Sequence, residues 1–165
     1  MKIEEVWRQA FAPDSGMLLD IRVYGTSEAD YRALLPFIVS HFSARYVRDG
    51  VELEVPDYDT ILGDYENVSV FVKSDVSRVQ VNLWFHSQEE IDLDLLPDNV
   101  DSVEKAVGIF DFMKTVAMLL HKRVLLTAEN ASADQEWSER HCIASVVPSD
   151  GTTEYHSDLE GWSRY

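Results

Sequence analysis

Along the chain, apolar side chains switch repeatedly between two spacings, one of period two and one close to 3.6. Met17, Leu19, Ile21 and Val23 alternate with Leu18, Asp20, Arg22 and Tyr24, the pattern of a half-buried strand that Gly25 ends. Ser27 with Asp30 three residues later approximates a capping box, and Tyr31, Leu34, Leu35, Ile38, Val39 and Phe42 follow at helical spacing. A helix over about 28–42 is expected, bent near Arg32 because Pro36 lacks a backbone donor. Asp49-Gly50 is the preferred pair for a type I′ turn and predicts a hairpin with Val51, Leu53 and Val55 facing inward. The segment DYDTILGDYEN, residues 57–67, reads as a loop. Two strands then follow, over 68–73 and 78–85, turning through Ser74 and Asp75. In the second, Val79, Val81, Leu83 and Phe85 share one side and Trp84 falls on the polar side.

Asp101 or Ser102 is placed to cap a second helix, whose buried stripe is Val103, Ala106, Val107, Phe110, Met113, Ala117 and Leu120. Ile109, Phe112, Val116 and Leu119 widen that stripe until Glu104, Gly108, Asp111 and Thr115 remain as a narrow wet edge. His121, Lys122 and Arg123 suit its C-terminal end, where the helix dipole favours positive charge. Short strands over 124–127 and 143–147 complete the pattern. From Pro148 onward no period is visible. The expected organisation is one domain over 1–147 and a loosely docked or flexible tail over 148–165. This succession implies an α+β two-layer sandwich: a mainly antiparallel sheet of about five to seven strands with two main helices on one face.

Charge changes the picture more than composition does. The chain of 165 residues carries a formal net charge of -16. Residues 49–101 hold fourteen acids against only Lys73 and Arg78, a net of -12, so three quarters of the excess sits in one third of the chain. Phosphate must be neutralised by Lys and Arg, so nucleic acid and anionic membrane are poor partners for such a surface and a basic protein is a good one. The N-terminal residues contain no apolar run like a signal sequence, nowhere do 18 uncharged apolar residues occur together, and the single Cys142 forms no internal disulfide. A cytoplasmic protein is expected.

Candidate chemistry is sparse. His86 with Glu89, Glu90, Asp92 and Asp94 offers ligands for a divalent ion, but the spacing fits no metal loop, and acids alternating with aliphatic residues from Glu90 to Leu95 also describe an edge strand with its carboxylates outward. His141 beside Cys142 suggests a thiol nucleophile. Neighbours on a strand point to opposite faces, however, so the histidine cannot serve the cysteine as base there, and a small buried residue is the simpler reading. His41 and His121 sit near helix ends and His156 in the expected tail, and no glycine-rich phosphate loop is present. A second acidic cluster, Asp57, Asp59, Asp64 and Glu66, is interleaved with Tyr58 and Tyr65. Tyrosine supplies rigid contact area and carboxylates meet Lys or Arg, so this mixture suits a protein-binding surface.

No catalytic residue, metal or cofactor is therefore expected. The leading expectation is an acidic binding module whose contacts come from Tyr58, Asp59, Asp64, Tyr65, Glu89, Glu90, Asp92 and Asp94. In size, acidity, α+β character and lack of catalytic motifs the chain is similar to bacterial immunity proteins. That similarity implies an inhibitor that neutralises a basic cognate toxin, a nuclease for example, by covering its active site or substrate surface. It is a similarity of profile without a shared motif, so it assigns no residues. Two other readings stay open: a small enzyme or ligand-binding or metal-binding domain using His86 and nearby carboxylates, and a structural subunit docking through Trp84 and Trp162.

Overall fold

The computed structural model describes residues 2–11, 18–128 and 135–156, apart from the side chains at positions 137, 140 and 141. Its strands are β1 (Leu19–Tyr24), β2 (Ser43–Arg48), β3 (Val51–Leu53), β4 (Val70–Val76), β5 (Val79–Trp84), β6 (Glu90–Leu95), β7 (Val124–Ala128), β8 (Ala144–Val146) and β9 (Thr153–Tyr155). They form one nine-stranded sheet in the order β3-β2-β4-β5-β6-β1-β7-β8-β9. Every pairing is antiparallel. The α+β class is as expected, and the sheet is larger than the expected five to seven strands. The difference lies in β9, three residues within the expected tail and too few to show a period, and in β6, which the sequence offered only as an edge segment.

The register explains the burial. Ile21 stands opposite Leu93, Leu93 opposite Leu83, and Leu83 opposite Val72, so one face carries a continuous apolar row. All four of these side chains are buried. Against this face pack α2 (Glu28–His41) and α4 (Val103–Leu120), with α1 (Ile3–Ala10) and α3 (Tyr58–Tyr65) beside them. Phe110 of α4 meets Tyr155 of β9 edge-on at 5.3 Å and Phe11 at 6.3 Å. The capping expectations hold at both main helices: the Ser27 backbone N–H donates to Asp30 Oδ2 at 2.8 Å, and the Lys105 N–H donates to Ser102 Oγ at 3.3 Å. Helix α4 ends on His121 in the left-handed region, φ 53°.

Several expectations are corrected. Residues 58–65 form a helix, with Asp57 as its cap accepting from the Thr60 N–H at 2.8 Å; Tyr58, Ile61, Leu62 and Tyr65 do stand at helical spacing, but over only two turns that also hold Gly63 and two acids, which read as a loop. The hairpin at Asp49-Gly50 forms with both residues at positive φ, but Val51 and Leu53 are exposed because β3 is a sheet edge. Strand β4 runs to Val76, so the turn falls at Ser77-Arg78, both at positive φ without a glycine. Strand β6 is central and not an edge. Tyr24, on the sheet face opposite Ile21, donates to Ser138 Oγ of α5 (Gln135–His141) at 2.9 Å, so helical residues meet both faces. Residues 153–155, within the expected tail, pair with β8; the tail beyond 156, with Trp162, lies outside the described residues. Among the described residues no helix is long and apolar enough to cross a membrane.

Gly108 is not part of a wet edge. A Cβ there would lie 2.0 Å from Ser77 Oγ and 2.4 Å from Ser77 Cβ, so the missing side chain lets the β4–β5 turn seat on α4. Gly108→Ala is expected to destabilise the fold by about 1–3 kcal/mol in urea unfolding. Gly63→Ala in α3, where an added Cβ meets nothing within 4 Å, is expected to be neutral or stabilising by up to about 1 kcal/mol. Equal effects at the two glycines would contradict this packing.

Candidate functional site

The acids of residues 49–101 do not gather in one place. Because β6 alternates, turning Ile91, Leu93 and Leu95 to the core puts Glu90, Asp92 and Asp94 on the opposite sheet face. There Asp92 stands opposite Arg22, Asp94 opposite Asp20 and Glu90 opposite Tyr24. Arg22 donates to Asp20 Oδ2 at 2.8 Å and to Glu90 Oε1 at 2.9 Å, with only 12 % of its side chain exposed. Asp94 accepts from Asn82 and from the Trp84 indole of β5, and it is buried. Asp92 Oδ1 and Arg22 Nε are buried without a hydrogen-bond partner among the described residues.

One arginine thus serves several half-buried carboxylates, and the cost appears in their protonation. Burial pushes the Asp20 carboxyl from 3.8 up to about 6, partly offset by its bond to Arg22 and reinforced by Asp92 and Asp94. Burial also raises Glu90 and Asp92, each against the pull of Arg22. These residues were expected as exposed contacts; here they form a charge network within the sheet. Asp20 and Arg22, which complete it, carried one signal in the sequence: opposite charges two apart on one face of a strand.

The other acidic segment lies at one end of the helical face. Tyr65, at the end of α3, donates its hydroxyl to the His86 carbonyl at 2.8 Å, which ties α3 to the connection between β5 and β6. Thr26 holds the other side of that connection, through its N–H to the Glu89 carbonyl at 3.0 Å and its hydroxyl to the Gln88 carbonyl at 2.8 Å. Between them opens a hollow of about 210 Å³, lined by Tyr31, Tyr58, Leu62, Tyr65, Glu66, Phe85, Ser87 and Gln88. Tyr31, Tyr58 and Phe85 are buried and form its aromatic side: Tyr31 stacks on Tyr58 at 5.5 Å and tilts against Phe85 at 5.6 Å. The Tyr31 hydroxyl lies 2.9 Å and 2.8 Å from the Ser87 and Glu90 carbonyls, and burial raises its pKa.

Of the residues singled out in the sequence, Tyr58 and Tyr65 line this hollow and Glu89 stands exposed in the connection beside it. Asp59 is exposed and pairs with Arg32 at 2.5 Å, and Arg32 also lies 5.1 Å above the Tyr58 ring. Asp64 is drawn inward, accepting from the Tyr46 hydroxyl at 2.9 Å and pairing with Arg48 at 3.1 Å. Glu66 and Glu89 make no ion pair among the described residues. His86 is exposed, its ring stacked at 5.5 Å on Trp84, and no group of three or more His, Cys, Asp or Glu among the described residues is placed to hold a metal. Cys142 follows α5, not a strand; it is buried, its thiol pushed up to about 11 by burial and its Sγ 3.5 Å from the Glu139 carbonyl. A thiol so protonated at neutral pH is a poor nucleophile.

The Asp20 carboxyl sets a pH dependence. Its folded value lies above its unfolded one, so the stability it contributes is complete below about 4 and is lost as pH rises through about 6. Asp20→Asn, which resembles the protonated acid, is expected to raise the unfolding free energy at pH 8 by up to about 3 kcal/mol and to flatten its fall between pH 4 and 7. Chemical denaturation across that range measures it, and a variant less stable than wild type at pH 8 would show that the ionised Asp20–Arg22 pair stabilises the fold.

Scanned against known proteins, the chain matches no protein-family model, no curated protein and no solved structure.

Proposed function

We propose that the chain is a binding module that meets a basic protein through the face made by α3 and the β5–β6 connection. The observation that carries this reading is the Tyr65–His86 hydrogen bond, which joins the two segments so that Glu66 and Glu89 stand near one aromatic hollow. Carboxylates engaged within the chain have little attraction left for a partner; Glu66 and Glu89, without an ion pair among the described residues, keep theirs. Glu90, Asp92 and Asp94 add to the field that steers a basic partner and leave direct contact to the rim. The specific form proposed is an inhibitor of immunity type, which covers the working surface of a basic toxin. Fast capture through charge suits such a task, because the target must be silenced before it acts.

The double variant Glu66→Lys/Glu89→Lys tests the face. Immobilised wild type, exposed to lysate of the source cells at low salt, is expected to retain a small set of basic proteins that elute as salt rises. The variant is expected to bind them at least about tenfold more weakly, and wild type is expected to inhibit the retained protein's activity when the two are co-expressed. Retention of the same proteins with the same salt profile by both forms would contradict the proposal.

A further inference from the structure

The hollow beside the acidic rim has a shape and lining that narrow what it takes. At about 210 Å³ it lies below the roughly 300–1,000 Å³ of pockets for drug-sized ligands and is of a size for a single side chain. Three of its eight lining residues, Tyr31, Tyr58 and Phe85, are buried aromatics in mutual contact, and Tyr65 adds a fourth ring, half exposed. Among the described residues the only charged one lining it is Glu66, which has no ion-pair partner among them, and the exposed Glu89 follows directly on Gln88. An aromatic surface beside a free carboxylate attracts a cation carried on an apolar stem.

The chain itself contains an example of that pairing. The Arg32 guanidinium lies 5.1 Å above the Tyr58 ring while Glu28 and Asp59 hold it at 2.6 Å and 2.5 Å. Arg32 lies over Tyr58 without lining the hollow; within the hollow Tyr65 and Glu66 again set a ring beside a carboxylate, and among the described lining residues there is no Lys or Arg.

We propose that the hollow receives one arginine side chain of the basic partner, its guanidinium paired with Glu66 and its stem against the Tyr58, Phe85 and Tyr65 rings. This deepens the binding reading above and rests on it. It makes the hollow the anchor of the interface and the surrounding acids its steering field, the usual division between a buried hot spot and a charged rim. Arginine fits better than lysine because its planar group binds a carboxylate in two-pronged fashion and is more weakly hydrated than an ammonium.

The first test needs no partner. N-acetylarginine methylamide and its neutral isostere N-acetylcitrulline methylamide are titrated into the full chain and followed by amide chemical shifts. The arginine probe is expected to bind with a Kd on the order of millimolar, to move the amides of Tyr65, Glu66, Ser87 and Gln88, and to exceed the citrulline probe about tenfold. Glu66→Gln is expected to weaken it severalfold, and Gln88→Trp, which fills the mouth without changing charge, to abolish the shifts while the remaining spectrum stays dispersed. Equal binding of the two probes, or shifts scattered over the surface and unchanged in Gln88→Trp, would overturn the proposal. With a captured partner the two claims separate. If Gln88→Trp leaves its affinity intact while Glu66→Lys/Glu89→Lys destroys it, the arginine anchor is wrong and the acidic face stands; if both variants bind normally, both claims fall.

Discussion

The position of β6 between β5 and β1 governs much of this molecule. A strand alternates its side chains, so a central strand that gives Ile91, Leu93 and Leu95 to the core must send Glu90, Asp92 and Asp94 to the other face. A one-residue slip would exchange the two sets, so the register of β6 against both neighbours is strongly specified. The three carboxylates then require company, and β1 supplies Arg22 directly opposite Asp92 while β5 supplies Asn82 and Trp84 to Asp94. Burial raises the Asp20, Glu90 and Asp92 carboxyls against the pull of the one arginine among them. Charge is thereby built into the middle of the sheet at some cost in stability near neutral pH.

Much of the fold is legible where periodicity is long. The alternation over β1 and β5, most of the stripe of α4 apart from the exposed Val107 and Leu119, the caps at Ser27 and Ser102 and the Asp49-Gly50 hairpin follow from local chemistry visible in the residues. The failures in the sheet share one physical cause: local patterns do not say which strands are neighbours. The acid and aliphatic alternation of Glu90 to Leu95 fits an edge strand as well as a central one, and only the antiparallel partners on both sides decide it. The same holds for Val51 and Leu53, whose alternation fits burial but whose strand lies at the margin. Helix α3 does carry Tyr58, Ile61, Leu62 and Tyr65 at helical spacing, but two turns with Gly63 and interleaved acids also read as a loop, and Ser77-Arg78 makes its turn without the glycine that marks one.

The site was legible in part. Composition located the acids and the interleaved tyrosines, but not that Tyr58 is buried against Tyr31 and Phe85 while Tyr65 stays at the surface. Tyr31 and Phe85 fall on core stripes of a helix and a strand, and nothing in the sequence separates a core aromatic from one bordering a hollow. Nor could a charge count distinguish Asp92 and Asp94, set into the sheet, from Glu66 and Glu89, which make no ion pair among the described residues. That distinction, between acids engaged within the fold and acids with no ion pair among the described residues, is what three-dimensional placement adds.

The central claim is this division, and it is read most directly by mapping where a basic ligand lands. Amide chemical shifts of the full chain titrated with a short oligoarginine peptide should move at the C-terminal end of α3 and in the β5–β6 connection, with Glu66 and Glu89 at their centre. Amides of Glu90, Asp92 and Asp94 should stay still. Shifts centred on β6 and Asp20, with α3 unmoved, would contradict the account.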